Sequence, residues 1–356
     1  MTFLKNVWYA AGTANELKEA PVSRRICNEL VVLMRGADGS VGALQDRCPH
    51  RFVPLSAATQ CEGNAIRCPY HGLVFDFDGN CIERPFDDGP MQPGLHVRSY
   101  PLVERDGMLW IWMGEPDSAD PDTIPDFSYI SDTDNFRTVF GYLHVNGHYE
   151  MIADNLLDLS HVHFLHPTAA PGVSFQEFDN KLELNGTTVW SRLRKPNFRP
   201  PEWQSSLWES DSEFADGRAD VRWVPPACLN ILTALTEVGG SFEDGLQMPS
   251  GHFITPETET SSHYFWAISR NVQRDNAMLD EITAENTNSI FSGQDSPIIA
   301  AQQAAMGQNT DFLAENPVIL KADAAGVAAR RVLRRLIAAE SAGQFVEVDR
   351  LRFGER

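Results

Sequence analysis

Four residues with the chemistry of metal ligands stand in two short stretches. Cys48-Pro49-His50-Arg51 offers a thiol and an imidazole two positions apart, and Cys68-Pro69-Tyr70-His71-Gly72 offers the same pair three positions apart. A thiolate is soft and anionic, an imidazole neutral. Two loops that each supply one of each can hold two iron atoms differently, the cysteines on one and the histidines on the other. That is the donor set of a Rieske [2Fe–2S] centre, where two histidines replace two cysteines and raise the reduction potential. A structural zinc site is the competing reading, but zinc fingers pair like ligands locally, and here the types alternate. Four unrelated loop residues would have to match type, order and spacing by chance.

A second constellation follows, Asp158-x-x-His161-x4-His166. A helix is expected from near His148 through His161. Pro167 biases His166 away from helical geometry, so the helix should end there or just before. Asp158 and His161 would share a helix face. His161 and His166 would sit about 140° apart on an ideal helix, and a helix end between them lets His166 swing round. Two neutral imidazoles and one carboxylate make the facial triad of non-haem Fe(II) oxygenases, which leaves positions open for O2 and substrate. Ordinary packing is the alternative for any of these histidines, and it is the preferred reading for His163.

These residues need a scaffold. The chain has 356 residues, enough for two domains with sizeable cores at 42% hydrophobic composition. Residues 1–118 read as short strands punctuated by turns. Asp38-Gly39, Asp78-Gly79 and Asp106-Gly107 each sit between apolar runs, a strong hairpin signal. The expected N-terminal domain is therefore all-β, with the two ligand loops projecting from it. Gly114 to Asp122 is polar and rich in Pro and Asp, a linker signal. Residues 119–356 are expected to form an α+β catalytic domain. Asn185-Gly186 signals a further hairpin, and residues 322–342 an amphipathic helix whose Arg330, Arg331, Arg334 and Arg335 read as a solvated face.

Composition excludes several classes. A net charge of −20 argues against nucleic-acid binding. No Gly-x-Ser-x-Gly nucleophile motif and no flavin or dinucleotide fingerprint is present. No apolar run suggests a membrane span or signal peptide, so a cytoplasmic location is expected. Cys27, Cys61, Cys81 and Cys228 lack ligand spacing and are expected as buried free thiols.

The run CPHR…CPYHG, followed by Asp154-Asn155-Leu156-Leu157-Asp158-Leu159-Ser160-His161 and His166-Pro167, resembles the Rieske non-haem iron oxygenases. Within them it is most similar to the oxygenase components of the vanillate and dicamba O-demethylating branch. The likeness spans nearly the whole chain, from Asn6-Val7-Trp8-Tyr9-Ala10-Ala11 through Ser99 to Arg105 and on to Thr255-Pro256-Glu257-Thr258-Glu259. The resemblance implies that Asp158 is not an iron ligand. It implies instead that Asp158 bridges His161 to the cluster histidine at position 71 of a neighbouring subunit, in a ring that is commonly a trimer. Asn155 on the same helix is a candidate catalytic residue. The family carboxylate corresponds to Asp295, which spacing alone does not find. Pro297, two positions on, departs from the family and implies either a helix capped by Ser296 or a kink. His148-Tyr149-Glu150 departs as well. Asn230 and His252 match pocket strands and become candidates for holding a polar substituent of an aromatic substrate.

The implied function is the terminal oxygenase of a multicomponent system. Such a component receives electrons from a separate reductase or ferredoxin, fed by NAD(P)H, and monooxygenates an aromatic acid, most simply by oxidative O-demethylation. Ring hydroxylation, methyl hydroxylation and N-demethylation are nearby alternatives. An electron carrier without catalytic iron is the distant one.

Overall fold

The structure is a computed structural model and describes residues 3–58, 63–85, 87–167, 177–344 and 348–349. The chain divides into two compact units, Lys5–Ile124 and Pro125–Arg356, with Met1–Leu4 belonging to the second.

Among the described residues the first unit contains ten strands in three small antiparallel sheets. In chain order they are β1 (Trp8–Thr13), β2 (Val22–Ile26), β3 (Glu29–Arg35), β4 (Val41–Gln45), β5 (Ala65–Arg67), β6 (Val74–Asp76), β7 (Cys81–Glu83), β8 (Ser99–Tyr100), β9 (Leu102–Arg105) and β10 (Met108–Trp112). The sheets run β1-β10-β9, β2-β3-β4-β8 and β5-β6-β7. The Asp-Gly pairs turn the hairpins as expected. Asp106 and Gly107 both adopt positive φ, +53° and +71°, between the paired residues Arg105 and Met108. That two-residue geometry matches strand twist, and Asp and Gly tolerate it. Gly79 is required on a second count: a Cβ there would lie 1.8 Å from the Val97 carbonyl oxygen. The core beneath these sheets includes Val32, Met34, Leu44, Ile66 and Phe75, and both Cys48 and Cys68 belong to it.

The second unit is built on one seven-stranded antiparallel sheet. Its elements in order are β11 (Arg137–Val145), α1 (Tyr149–Leu157), α2 (Val162–Leu165), β12 (Asp179–Asn185), β13 (Thr188–Phe198), α3 (Glu202–Leu207), β14 (Ala215–Val224), β15 (Cys228–Glu237), β16 (Leu246–Thr258), β17 (Ser261–Arg270), α4 (Ala277–Ile290), α5 (Ser296–Met306) and α6 (Ala324–Ser341). The strand order is β11-β17-β16-β15-β14-β13-β12. An all-β N-terminal domain followed by an α+β domain is the fold class expected. Residues directly paired across antiparallel strands share a face of the sheet. Trp223, Leu229, His252 and Trp266 are therefore on one face, and Arg222, Asn230 and Gly251 on the other.

Two expectations need correction. The helix beginning at His148 does not reach His161: α1 ends at Leu157, and Asp158 is extended at φ −114°, ψ 94°. Its carboxylate accepts the Ser160 N–H at 2.9 Å, which starts a new turn over Leu159–His161. An Asp that caps the following turn competes with helix continuation. The arginines of α6 are also not one solvated stripe. Arg330 is buried and held by Glu150 at 3.2 Å and Asp154 at 2.7 Å, which ties α6 to α1. Cys27, Cys81 and Cys228 are buried and in no disulfide, whereas Cys61 lies outside the described residues. Among the described residues no helix is long and apolar enough to cross a membrane.

Candidate cluster loops and metal centre

The two Cys/His loops use one backbone design twice. The Cys48 N–H donates to the Val53 carbonyl at 2.9 Å and the Phe52 N–H to the Cys48 carbonyl at 2.9 Å. The Cys68 N–H donates to Leu73 at 2.8 Å and the Gly72 N–H to Cys68 at 3.0 Å. The fifth residue of each turn is left-handed, Phe52 at φ +63° and Gly72 at +74°. Arg67 fixes the second loop by donating to the Gly72 carbonyl at 3.0 Å while pairing with both oxygens of Glu83. The result buries both cysteines and leaves both histidines exposed, with the His50 and His71 ring centroids 4.4 Å apart. Burial pushes the Cys48 thiol up to about 11. Backbone N–H of His50 opposes this, and the neighbouring Cys68 adds to it. The Cys48 thiol, buried in an apolar core, resists ionisation unless a positive charge arrives, which is what a bound metal supplies.

The second centre gathers side chains from α1, the turns after it and the α4–α5 junction. His161 donates from Nδ1 to the Asp158 backbone carbonyl at 2.6 Å. His166, at the end of α2, donates from Nδ1 to Gln294 Oε1 at 2.6 Å. Each bond fixes the tautomer and leaves Nε2 free to ligate. Both Nε2 atoms face Asp295 Oδ1, at 3.5 Å from His161 and 3.2 Å from His166. Asn155 Nδ2 donates to that oxygen at 3.1 Å and lies 3.4 Å from His161 Nε2. The ligating atoms of His161, His166 and Asp295 lie within 4.8 Å of one another, and among the described residues no other three His, Cys, Asp or Glu side chains bring their ligand atoms all within that distance. Asp295 Oδ2 is buried with no hydrogen-bond partner. Burial raises the Asp295 pKa, against the pull of His166 and His161. An orphaned carboxylate oxygen beside two oriented imidazoles fits a metal ion, since a buried carboxylate left unpaired is costly.

Asp295 reaches this point through a change of helical pitch. The five residues Phe291–Asp295 form a wider π-type turn joining α4 to α5, and Pro297 falls in the first turn of α5. A proline has no N–H and its ring crowds the carbonyl four residues earlier. The wider turn accommodates it, and Ile290, Asp295 and Ser296 all stay helical. With this turn the consecutive residues Gln294 and Asp295 both reach His166.

The two candidate substrate residues separate. His252 is buried, with Nδ1 2.7 Å from the Tyr264 hydroxyl and Nε2 2.9 Å from Ser250 Oγ. Its ring and that of Tyr264 pack against Phe291, at 6.0 and 5.0 Å, in the turn that carries Asp295. Burial holds the His252 pKa down at about 3, so the ring is neutral. Asn230 stands on the opposite face, where its Oδ1 accepts the Tyr129 hydroxyl at 3.3 Å. One pocket cannot be lined by both, so Asn230 does not share a site with His252. The sequence reading missed Gln294, Tyr264 and Ser250, because none belongs to a ligand motif.

Residues 7–101 match the Rieske [2Fe-2S] domain, and residues 145–339 match the vanillate O-demethylase oxygenase C-terminal domain. The dicamba O-demethylase oxygenase component of Stenotrophomonas maltophilia is 34% identical over 342 residues, 96% of this chain and 100% of that protein. A toluene-4-sulfonate monooxygenase iron-sulfur subunit of Comamonas testosteroni is 35% identical over 353 residues, 96% of this chain and 99% of that protein. The crystal structure of dicamba monooxygenase with non-haem iron and dicamba superposes with a TM-score of 0.82 at 32% identity, covering 96% of this chain and 100% of that one.

The chain belongs to the Rieske oxygenases. It is an oxygenase component of the class that works with a reductase or ferredoxin. His148 and Glu150 have a local structural role in this oxygenase. His148 is buried with its Nδ1 3.8 Å from Glu150, and Glu150 holds Arg330. Burial holds the His148 pKa down at about 3 and raises that of Glu150 to about 7.

Proposed function

We propose that Cys48, His50, Cys68 and His71 hold a [2Fe–2S] cluster, and that His161, His166 and Asp295 hold one iron. On this reading the protein monooxygenates an aromatic acid, removing an O-methyl group. The observation that carries the proposal is the convergence of two oriented imidazole Nε2 atoms on the buried Oδ1 of Asp295. One-electron transfer and O2 activation are the chemistry these metals supply when bound.

The chain's own residues do the rest. Asp158 and Gln294 fix the two imidazoles from behind through Nδ1. Asn155 holds Asp295 by its amide and keeps one carboxylate oxygen turned towards both rings. His252, with Nδ1 anchored by Tyr264, is the group on this side of the sheet suited to a substrate carboxylate, its Nε2–H exchanging the contact with Ser250 Oγ for the substrate oxygen. Asp158 also serves, in this proposal, as the bridge from His161 to the cluster histidine of a neighbouring subunit in a trimeric ring. Electrons originate from NAD(P)H through a separate reductase. Net insertion of one oxygen atom into an O-methyl C–H gives a hemiacetal, which loses formaldehyde to leave a phenol. The second oxygen atom leaves as water with two electrons and two protons.

Metal and acid-labile sulfide analysis with EPR after reduction tests the centres. About three irons and two sulfides per chain, with a low-g rhombic signal, are expected. Zinc without sulfide would overturn the cluster assignment. A panel of methoxy- and methyl-substituted aromatic acids, scored for formaldehyde against O2 uptake, tests the reaction. Uptake without formaldehyde on every methoxy compound would replace demethylation with methyl or ring hydroxylation.

A further inference from the structure

The sheet face carrying Asn230 bears a cavity of about 650 Å3 that the oxygenase reading does not use. Its lining includes Arg192, Arg194, Arg218 and Arg222 against Glu183, Asp220 and Glu243. The pairing inside it is uneven. Asp220, 1% exposed, accepts both terminal nitrogens of Arg194 and lies 3.5 Å from Arg192, which also pairs with Glu183 at 2.6 Å. Those contacts satisfy Arg192 and Arg194. Arg218 and Arg222 have no carboxylate within ion-pair distance among the described residues. Arg222 is buried and donates to the Asp126 backbone carbonyl at 2.9 Å. Arg218 lies over the Phe242 ring at 4.9 Å, and its buried Nε has no acceptor.

Asn230 is paired directly with Arg222 across the β14–β15 register. It is 1% exposed and lines the same cavity, and its Nδ2 has no acceptor either. Both orphaned atoms are donors, and a guanidinium can never accept. Leaving buried donors unmade is costly, so the missing group must be an acceptor. Asp220 and Glu243 act on Arg218 only from beyond ion-pair distance, so two guanidinium groups without a directly paired carboxylate favour a negative one. The guanidinium fork suits a planar or tetrahedral oxyanion. The chain's net charge of −20 opposes anions at long range, so affinity has to come from direct, desolvated hydrogen bonds rather than steering.

We propose that this groove, on the face of the sheet opposite His252, binds one small oxyanion between Arg218, Arg222 and Asn230. The ligand is an organic carboxylate or sulfonate, or inorganic phosphate. The inference stands apart from the assignment of the metal ligands and survives if that assignment fails.

The test is a pair of soaks of holoenzyme crystals, one with selenate and one with 4-bromobenzoate, read by anomalous scattering. Calorimetric titrations with phosphate and with benzoate run alongside. The expected result is a peak within hydrogen-bond reach of Arg218 Nε and Asn230 Nδ2, with saturable binding in solution. Arg218→Gln and Asn230→Leu should each weaken that binding by about tenfold or more, the scale of one charge-assisted hydrogen bond. Arg218→Lys keeps the charge, protects folding and should weaken it less. A peak with selenate alone identifies an inorganic ligand, and a peak with 4-bromobenzoate an organic one. No peak in either soak overturns the proposal. A peak whose affinity neither substitution moves marks an adventitious ion only and overturns it too.

Discussion

His166 and Asp295 meet at 3.2 Å, Nε2 to Oδ1, and both are almost fully buried. The other ring nitrogen of His166 is taken by Gln294, the residue next to Asp295. One histidine is therefore held at Nδ1 by Gln294 and faced at its free Nε2 by the next residue of the π-type turn, so the turn sets the position of the carboxylate and the orientation of the ring together.

Asp295→Asn should empty the mononuclear site and leave the cluster in place. Iron is expected to fall from about three to about two per chain with sulfide unchanged, because the other centre uses separate ligands. Oxygenation should fall to background. Retention of full iron content and turnover would remove Asp295 from the ligand set.

Gln294→Ala removes the acceptor that holds His166 by Nδ1. Loss of such an outer hydrogen bond weakens metal affinity by about 10–100-fold. Chelator titration of the variant and the parent, followed by iron analysis, measures it. Gln294→Glu, which keeps an acceptor, should recover most of the loss. Equal chelator resistance in all three proteins would show that Gln294 does not position His166.

His252→Leu should lower kcat/KM for an aromatic acid by about 10–100-fold, the scale of one hydrogen bond to a charged group. Iron and sulfide content should stay at the parent level. With a pKa held down at about 3, His252 contributes no ionisation to the pH–rate profile above about pH 4. An unchanged kcat/KM with the Leu variant would move the substrate elsewhere.

Glu150 gives a pH test of the contact between α1 and α6. Its folded pKa is raised to about 7 by burial, against an ordinary value of 4.5. Between these values the folded chain holds a proton that the unfolded chain has released, so this group's contribution falls as pH rises through that window. Glu150→Gln removes the titration. The stability of the variant relative to the parent should therefore increase from about pH 4.5 to about pH 7 and then level off. Denaturant titrations at pH 5 and pH 8 decide it. A relative stability that falls with pH would contradict the buried, proton-holding state.

The sequence alone determined what depends on neighbours along the chain. Cys48, His50, Cys68 and His71 were legible because each ligand pair lies inside one turn, and the Asp-Gly hairpins because left-handed residues declare themselves locally. The helix start at His148 and the stop at His166 before Pro167 were legible for the same reason. Three features were decided only by the tertiary structure. The break at Asp158 depends on a side chain choosing the Ser160 N–H over helix continuation, a competition that periodicity does not resolve. The approach of Asp295 to His161 and His166 depends on a π-type turn around Pro297, which changes the pitch that spacing arguments assume. The separation of Asn230 from His252 depends on strand register, where a shift of one residue exchanges the faces of the sheet. Local chemistry is written in adjacent residues. Pitch, register and long-range approach are settled when distant segments pack, so they had to be read from the folded chain.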